Sequence, residues 1–198
     1  MTTTRTLAIL LFDDVEVLDF CGPFEVFSVA NRFTPDPAFI VTTVAEKTGP
    51  IATRGGLSVN PDYRLTNLPR PDILLVPSGQ GTRKEMHNPA LIDWIKTTST
   101  KTELILSVCT GALLLAKAGL LDGLESTTHR GAIDLLRQTA PNSVVHTDRR
   151  FLDNGRVVCS AGVAAGIDMS LHIVRRLHGT EVAEQVSVQM EYPWTAGR

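Results

Sequence analysis

Glu103–Leu121, ELILSVCTGALLLAKAGLL, decides how the chain is read. Glu103 to Val108 is a short apolar run with β-branched residues, the pattern of a strand buried on both faces. From Thr110-Gly111 the sequence turns to Ala, Leu and Lys, which predicts a helix stopping near Gly119. Cys109 falls at the joint. A thiol on a sharp strand-to-helix turn projects from the sheet and faces the unpaired N–H groups of the new helix. Such a setting lowers a thiol pKa from about 8.5 towards roughly 3.5–7.5 and predicts thiolate at neutral pH. Free cysteine is also a common core residue. The junction and the small Thr-Gly pair that follows favour a nucleophile instead.

Outward from this stretch the chain alternates. Leu7 to Phe12, Phe39 to Ala45 and Asp72 to Pro77 read as strands, the first and third as continuous apolar runs. After an acidic loop, Pro23 suits the first turn of a helix to about Arg32. Asn88-Pro89 opens a helix to about Thr98. Ser126 to Thr128 is a short strand, and Gly131 to Thr139 a helix closed by Pro141. Asn154-Gly155 marks a hairpin over 151–159. Helices from about Ala164 to His178 and from Thr180 to Val188 follow, the first expected at the surface. This order predicts an α/β chain of one domain, residues 1–198, a three-layer α/β/α sandwich on a mostly parallel sheet with a small antiparallel addition.

Composition narrows the function classes. The 198 residues carry a net charge of −2 and are 20% charged, with no basic footprint for nucleic acid. No apolar run nears the ~20 residues of a membrane span, and no signal peptide is expected. Cys21, Cys109 and Cys159 are odd in number without C-x-x-C spacing. That predicts no disulfide framework, no metal site and a reducing cytoplasm.

Ligands of parallel sheets bind beyond the carboxyl ends of the strands. Three strands end there in unusual loops, at Asp19, at Ser78-Gly79 and at Cys109. Asp19 lies among Val17, Leu18 and Phe20, a setting that raises a carboxyl pKa and suits proton transfer. The same residue could instead cap the Pro23 helix. Gly79 can bring backbone N–H groups to a reacting atom, or simply make a tight turn. The Thr110 hydroxyl is placed to serve substrate or water, or only to open its helix. His129 follows a strand end and can approach the cleft, although a lone His is more often structural. Ser78, His129 and Phe20 are expected around the pocket. His87, His146, His172 and His178 show no partner pattern, and Gly79-x-Gly81 lacks the rest of a dinucleotide fingerprint.

The pieces Leu18–Phe27 (LDFCGPFEVF), Pro77-Ser78-Gly79, Ser107–Ala112 (SVCTGA), Thr127-Thr128-His129 and Ser160-Ala161-Gly162 resemble the ThiJ/PfpI superfamily of class I glutamine amidotransferase-like folds. The resemblance runs over essentially the whole chain. It implies a flavodoxin-like fold with a nucleophile elbow at Cys109, a carboxylate beside it at Asp19, and a backbone N–H at Gly79 facing the reacting atom. One branch carries His directly after the nucleophile, where this chain has Thr110, so a Cys–His dyad of that kind is not expected. The usual Pro-Gly-Gly is here Pro77-Ser78-Gly79. Aspartate at position 19 with Cys-Thr-Gly is similar to the isonitrile-hydrating branch, which implies a cofactor-free lyase acting on a small molecule, and a homodimer. AraC-type regulators share the pattern and carry a DNA-binding segment after it, for which no room is expected before Arg198. Oxoaldehyde chemistry, an amidase or a non-catalytic ligand or redox sensor are the other functions the resemblance admits.

Overall fold

In the computed structural model, which describes residues 3–194, the chain starts on β1 (Arg5–Leu11) and turns into α1 (Val17–Ala30). β2 (Phe39–Ala45) precedes a small hairpin of β3 (Ile51–Ala52) and β4 (Ser58–Val59), then β5 (Tyr63–Arg64). β6 (Ile73–Val76) leads to the short α2 (Thr82–Glu85) and to α3 (Pro89–Ser99), whose first turn Asn88 caps through its side chain. β7 (Leu104–Val108) runs into α4 (Gly111–Lys117). Then come β8 (Glu125–Ser126), a 3₁₀ turn at Arg130–Ala132, α5 (Ile133–Thr139) and β9 (Val144–Val145). β10 (Phe151–Asp153) and β11 (Val157–Ser160) form the expected hairpin, followed by α6 (Ala165–His178) and α7 (Thr180–Gln189).

The main sheet has the order β10-β11-β7-β6-β1-β2-β5 and is parallel except for β10. Its centre is β7, β6 and β1, whose apolar runs are buried along nearly their whole length. Helices α1, α6 and α7 pack together, and α2 to α5 form a second group. The result is the α/β/α sandwich the alternating pattern predicts. The order puts the carboxyl ends of β1, β6 and β7 side by side, so the three unusual loops share one edge.

Two expectations need correction. The first helix begins at Val17 and not at Pro23, which lies inside it. A helical proline removes the hydrogen bond to the carbonyl four residues back, here that of Asp19. The sequence Gly22-Pro23 answers instead to tertiary packing. A Cβ on Gly22 would come 2.9 Å from Ile167 Cγ1, and one on Gly166 would come 2.9 Å from Val108 Cγ1. Small residues here let α1, α6 and β7 press together.

Nor does α6 lie at the surface. It is an interior helix, burying Ile167, Met169, Leu171, Ile173 and Val174. His178 at its end sets its ring edge-on to Phe39, centroids 5.1 Å apart, and burial pushes its pKa down. His172 and His146 are likewise partnered, by Asp153 at 2.7 Å and Glu125 at 3.1 Å.

Candidate active site

The loop after β1 is fastened to the loop after β6. The Glu16 N–H donates to the Ser78 carbonyl at 2.7 Å, and Val15 pairs with Gly79 in an isolated bridge. Gly79 holds φ +149°, and a Cβ there would stand 2.0 Å from the Asp14 carbonyl oxygen. Only glycine fits. This clamp seats the first turn of α1, with Asp19, beside the β6 loop. Asp19 therefore lies within the helix rather than at its cap, which is the extended Glu16.

Cys109 takes φ +57°, a left-handed conformation unusual for any residue but glycine. Neighbouring strands hold it there. Its N–H donates to the carbonyls of Ser160 and Ala161, both at 3.1 Å, and its carbonyl accepts the Thr128 hydroxyl at 2.8 Å. Such constraint is what keeps a conformation costing about 1–3 kcal/mol in place. The sulfur is addressed by the backbone N–H groups of Thr110 and Val163. Val163 is itself at φ +46°, a marked outlier for a β-branched residue. A strained pair thus flanks the thiol.

The thiol is not acidic. Burial, and then the charge of Asp19, push its pKa up to about 11, against the weaker pull of Ser78 and the two N–H groups. The helix terminus does not offset this, because α4 has only seven residues and Cys109 is 6% exposed. A carboxylate beside it outweighs the partial charge of a short helix.

Asp19 is wholly buried, and the Ser78 hydroxyl donates to its Oδ2. Its Oδ1 has no hydrogen-bond partner among the described residues. Burial pushes its pKa up to about 6, Glu16 adds to the rise, and hydrogen bonds from Ser78 and Cys109 hold it back. At neutral pH the pair is therefore an ionised carboxylate facing a neutral thiol. A proton leaving sulfur has an acceptor in place.

Above Cys109 opens a cavity of about 130 Å³, lined by residues that include Ser78, Gly79, Thr110, His129 and Val163. This is well below the roughly 300–1,000 Å³ of pockets for drug-sized ligands. The Thr110 hydroxyl turns away to Thr82 Oγ1 at 3.2 Å, leaving its N–H for the sulfur. His129 reaches the cavity wall, and its Nδ1 accepts the Gly131 N–H at 3.1 Å. Phe20 does not join them. It is 4% exposed in the hydrophobic core and forms no part of the cavity lining.

Sequence reasoning missed Val163, which only a positive φ reveals, and Glu16, Arg54, Gln80 and Arg83, which long-range folding brings to the rim. Among the described residues no three His, Cys, Asp or Glu side chains converge as metal ligands, and no helix is long and apolar enough to cross a membrane.

Residues 5–176 match the DJ-1/PfpI family. The chain belongs to that family. Isonitrile hydratase from Pseudomonas putida is 31% identical over 186 residues, 94% of this chain and 78% of the relative. The HTH-type transcriptional regulator CdhR of Pseudomonas aeruginosa is 34% identical over 180 residues, 91% of this chain but 53% of the regulator. This DJ-1/PfpI chain therefore spans about half of the regulator's length. Among solved structures, a ThiJ/PfpI family protein from Pseudomonas syringae superposes with TM-score 0.87 at 27% identity, covering 100% of this chain and 80% of the other. Drosophila melanogaster DJ-1beta follows the same fold with TM-score 0.84 at 18% identity, covering 97% of this chain and 100% of that one.

Proposed function

We propose that this DJ-1/PfpI chain is an isonitrile hydratase, adding water to R–N≡C to give the formamide R–NH–CHO. One observation carries the reading: a buried, ionised Asp19 carboxylate set against the neutral Cys109 thiol. An isonitrile carbon must gain both a nucleophile and a proton, and this pair holds one of each. Similarity to the Pseudomonas putida hydratase supports the same reading.

In the first step Asp19 takes the Cys109 proton and passes it to the isonitrile carbon as sulfur bonds there. The product is a thioimidate, R–N=CH–S–Cys109. Water then adds to that carbon. Asp19 accepts one water proton and returns it to nitrogen, giving R–NH–CH(OH)–S–Cys109. The C–S bond breaks, the hydroxyl proton reprotonates sulfur by way of Asp19, and the formamide leaves. The Gly79 N–H, which donates to no backbone group among the described residues, is available to charge that develops during addition. Ser78 fixes the rotamer of Asp19. His129 serves as a wall of the pocket, and no metal or organic cofactor takes part.

The direct experiment incubates the wild type and Cys109→Ala with isonitriles from methyl to cyclohexyl and follows formamide. Formation by the wild type alone supports the reading, whereas equal rates for both proteins overturn it. The 34% identity to CdhR favours a second reading, in which the same pocket only binds a ligand. Ligand-dependent stabilisation without turnover distinguishes it. A homodimer and a cytoplasmic location belong to the proposal, the former readable by light scattering.

A further inference from the structure

Two guanidinium groups stand at the rim of the Cys109 cavity, those of Arg54 and Arg83. Arg54 follows the β3 strand, and its backbone N–H is tied to the Val15 carbonyl at 2.9 Å. Its side chain, 60% exposed, sits 3.6 Å from Glu16. An exposed pair at that distance is weak and readily exchanged for a better partner. Arg83 rises from α2 and rests Nη1 on the Gly79 carbonyl at 3.5 Å. It pairs with no carboxylate among the described residues, so most of its five donors stay open. Gln80 adds a neutral amide on the same wall. The cavity thus offers the thiol at its floor and, at its mouth, the Arg54–Glu16 pair and the guanidinium of Arg83, in a volume that admits only small molecules.

Resting on the hydratase reading for the chemistry but not for the recognition, we infer that the ligand of this pocket is a small molecule ending in a carboxylate, gripped by Arg83 with Arg54 in support. A guanidinium matches a carboxylate with two parallel hydrogen bonds, a geometry that a neutral alkyl group cannot use. The inference selects isonitriles of the type ⁻OOC–CH₂–N≡C over neutral ones of the same size.

The test compares isocyanoacetate with its methyl ester as substrates of the wild type, Arg83→Gln, Arg83→Lys and Arg54→Gln. Expected is a kcat/KM ratio favouring the acid by roughly 10–100-fold, falling toward one in Arg83→Gln. Arg83→Lys should restore part of it, Arg54→Gln should lower it less, and added salt should shrink it. An acid-to-ester ratio near one that Arg83→Gln leaves alone overturns the inference.

If no isonitrile is turned over, the hydratase reading falls and the recognition is read separately. N-formylglycine should still raise the wild-type melting temperature more than its methyl ester does, and that difference should vanish in Arg83→Gln. Equal shifts for acid and ester, or none, overturn the inference by that route.

Discussion

Cys109 and Cys159 lie on adjacent segments of one sheet, and burial pushes both thiols up to about 11. By acidity alone they are the same residue. Cys159 sits within β11 opposite Ser107, entirely enclosed, with Ser107 and Thr127 as its polar neighbours. Cys109 stands one residue beyond the end of β7, turned by a positive φ into a cavity, with a carboxylate beside it. On the proposed reading, Cys109 differs from Cys159 by an exit and a proton acceptor, not by being anionic at rest.

The sharpest way to break this contrast is to remove each sulfur. Cys109→Ala should lower isonitrile turnover by on the order of 10⁴ or more, to the uncatalysed background. Cys159→Ala should keep kcat/KM within about twofold while costing about 1–2 kcal/mol in urea melts. Turnover retained in Cys109→Ala, or lost in Cys159→Ala at unchanged stability, would place the chemistry elsewhere.

Asp19 is the second difference, and its removal should cost roughly 10²–10⁴ in kcat/KM as Asp19→Asn. The same change should help folding at neutral pH. Asp19 titrates near 6 in the fold against an ordinary 3.8. Its contribution to stability is therefore fully present below about 3.8 and is lost as pH rises through about 6. Replacing it removes that loss, a gain of at most about 3 kcal/mol above pH 6 and none near pH 3. Denaturant melts at pH 4 and pH 7.5 measure the gap. A variant destabilised equally at both would mean that the carboxylate is a structural partner only.

Alkylation tests the thiol directly. Iodoacetamide should label Cys109 with a rate that climbs about tenfold per pH unit through pH 7 to 9, since only thiolate reacts. Cys159 should stay unlabelled in the native protein. A plateau by pH 7 would restore the acidic thiol that the helix terminus predicts.

That helix-terminus prediction shows where sequence stops being informative. The elbow was legible because its signals are local: an apolar run, a change of composition and a small pair after Cys109. The sulfur's acidity was not, because the groups that set it come from α1, the β6 loop and the segment after β11. Gly22-Pro23 misled in the same manner. Read locally it starts a helix, whereas its reason is the approach of Ile167 from 145 residues downstream in the chain. Asp19 is marked by its apolar neighbours, and the sheet order brings it beside Cys109. Phe20, expected around the pocket, lies one step further around the helix, buried in the core. Arg54 and Arg83 carry no local mark at all.

The finest difference between the two thiols is the hydroxyl beside each, and Ser78 offers the smallest but most specific readout. Its hydrogen bond stabilises the ionised Asp19 and so holds that pKa down against burial. The Asp19 carboxylate must be ionised to accept the thiol proton, so kcat/KM should rise with pH through about 6 and then level. In Ser78→Ala the lost donor favours the protonated acid, and the rising limb should move to higher pH. At pH 8 both proteins ionise Asp19 more fully, so the variant's deficit should narrow, whereas at pH 6 it should reach several-fold. A loose, merely repositioned Asp19 would lower the whole profile without moving its limb. The direction of the limb therefore separates an electrostatic role for Ser78 from a purely steric one.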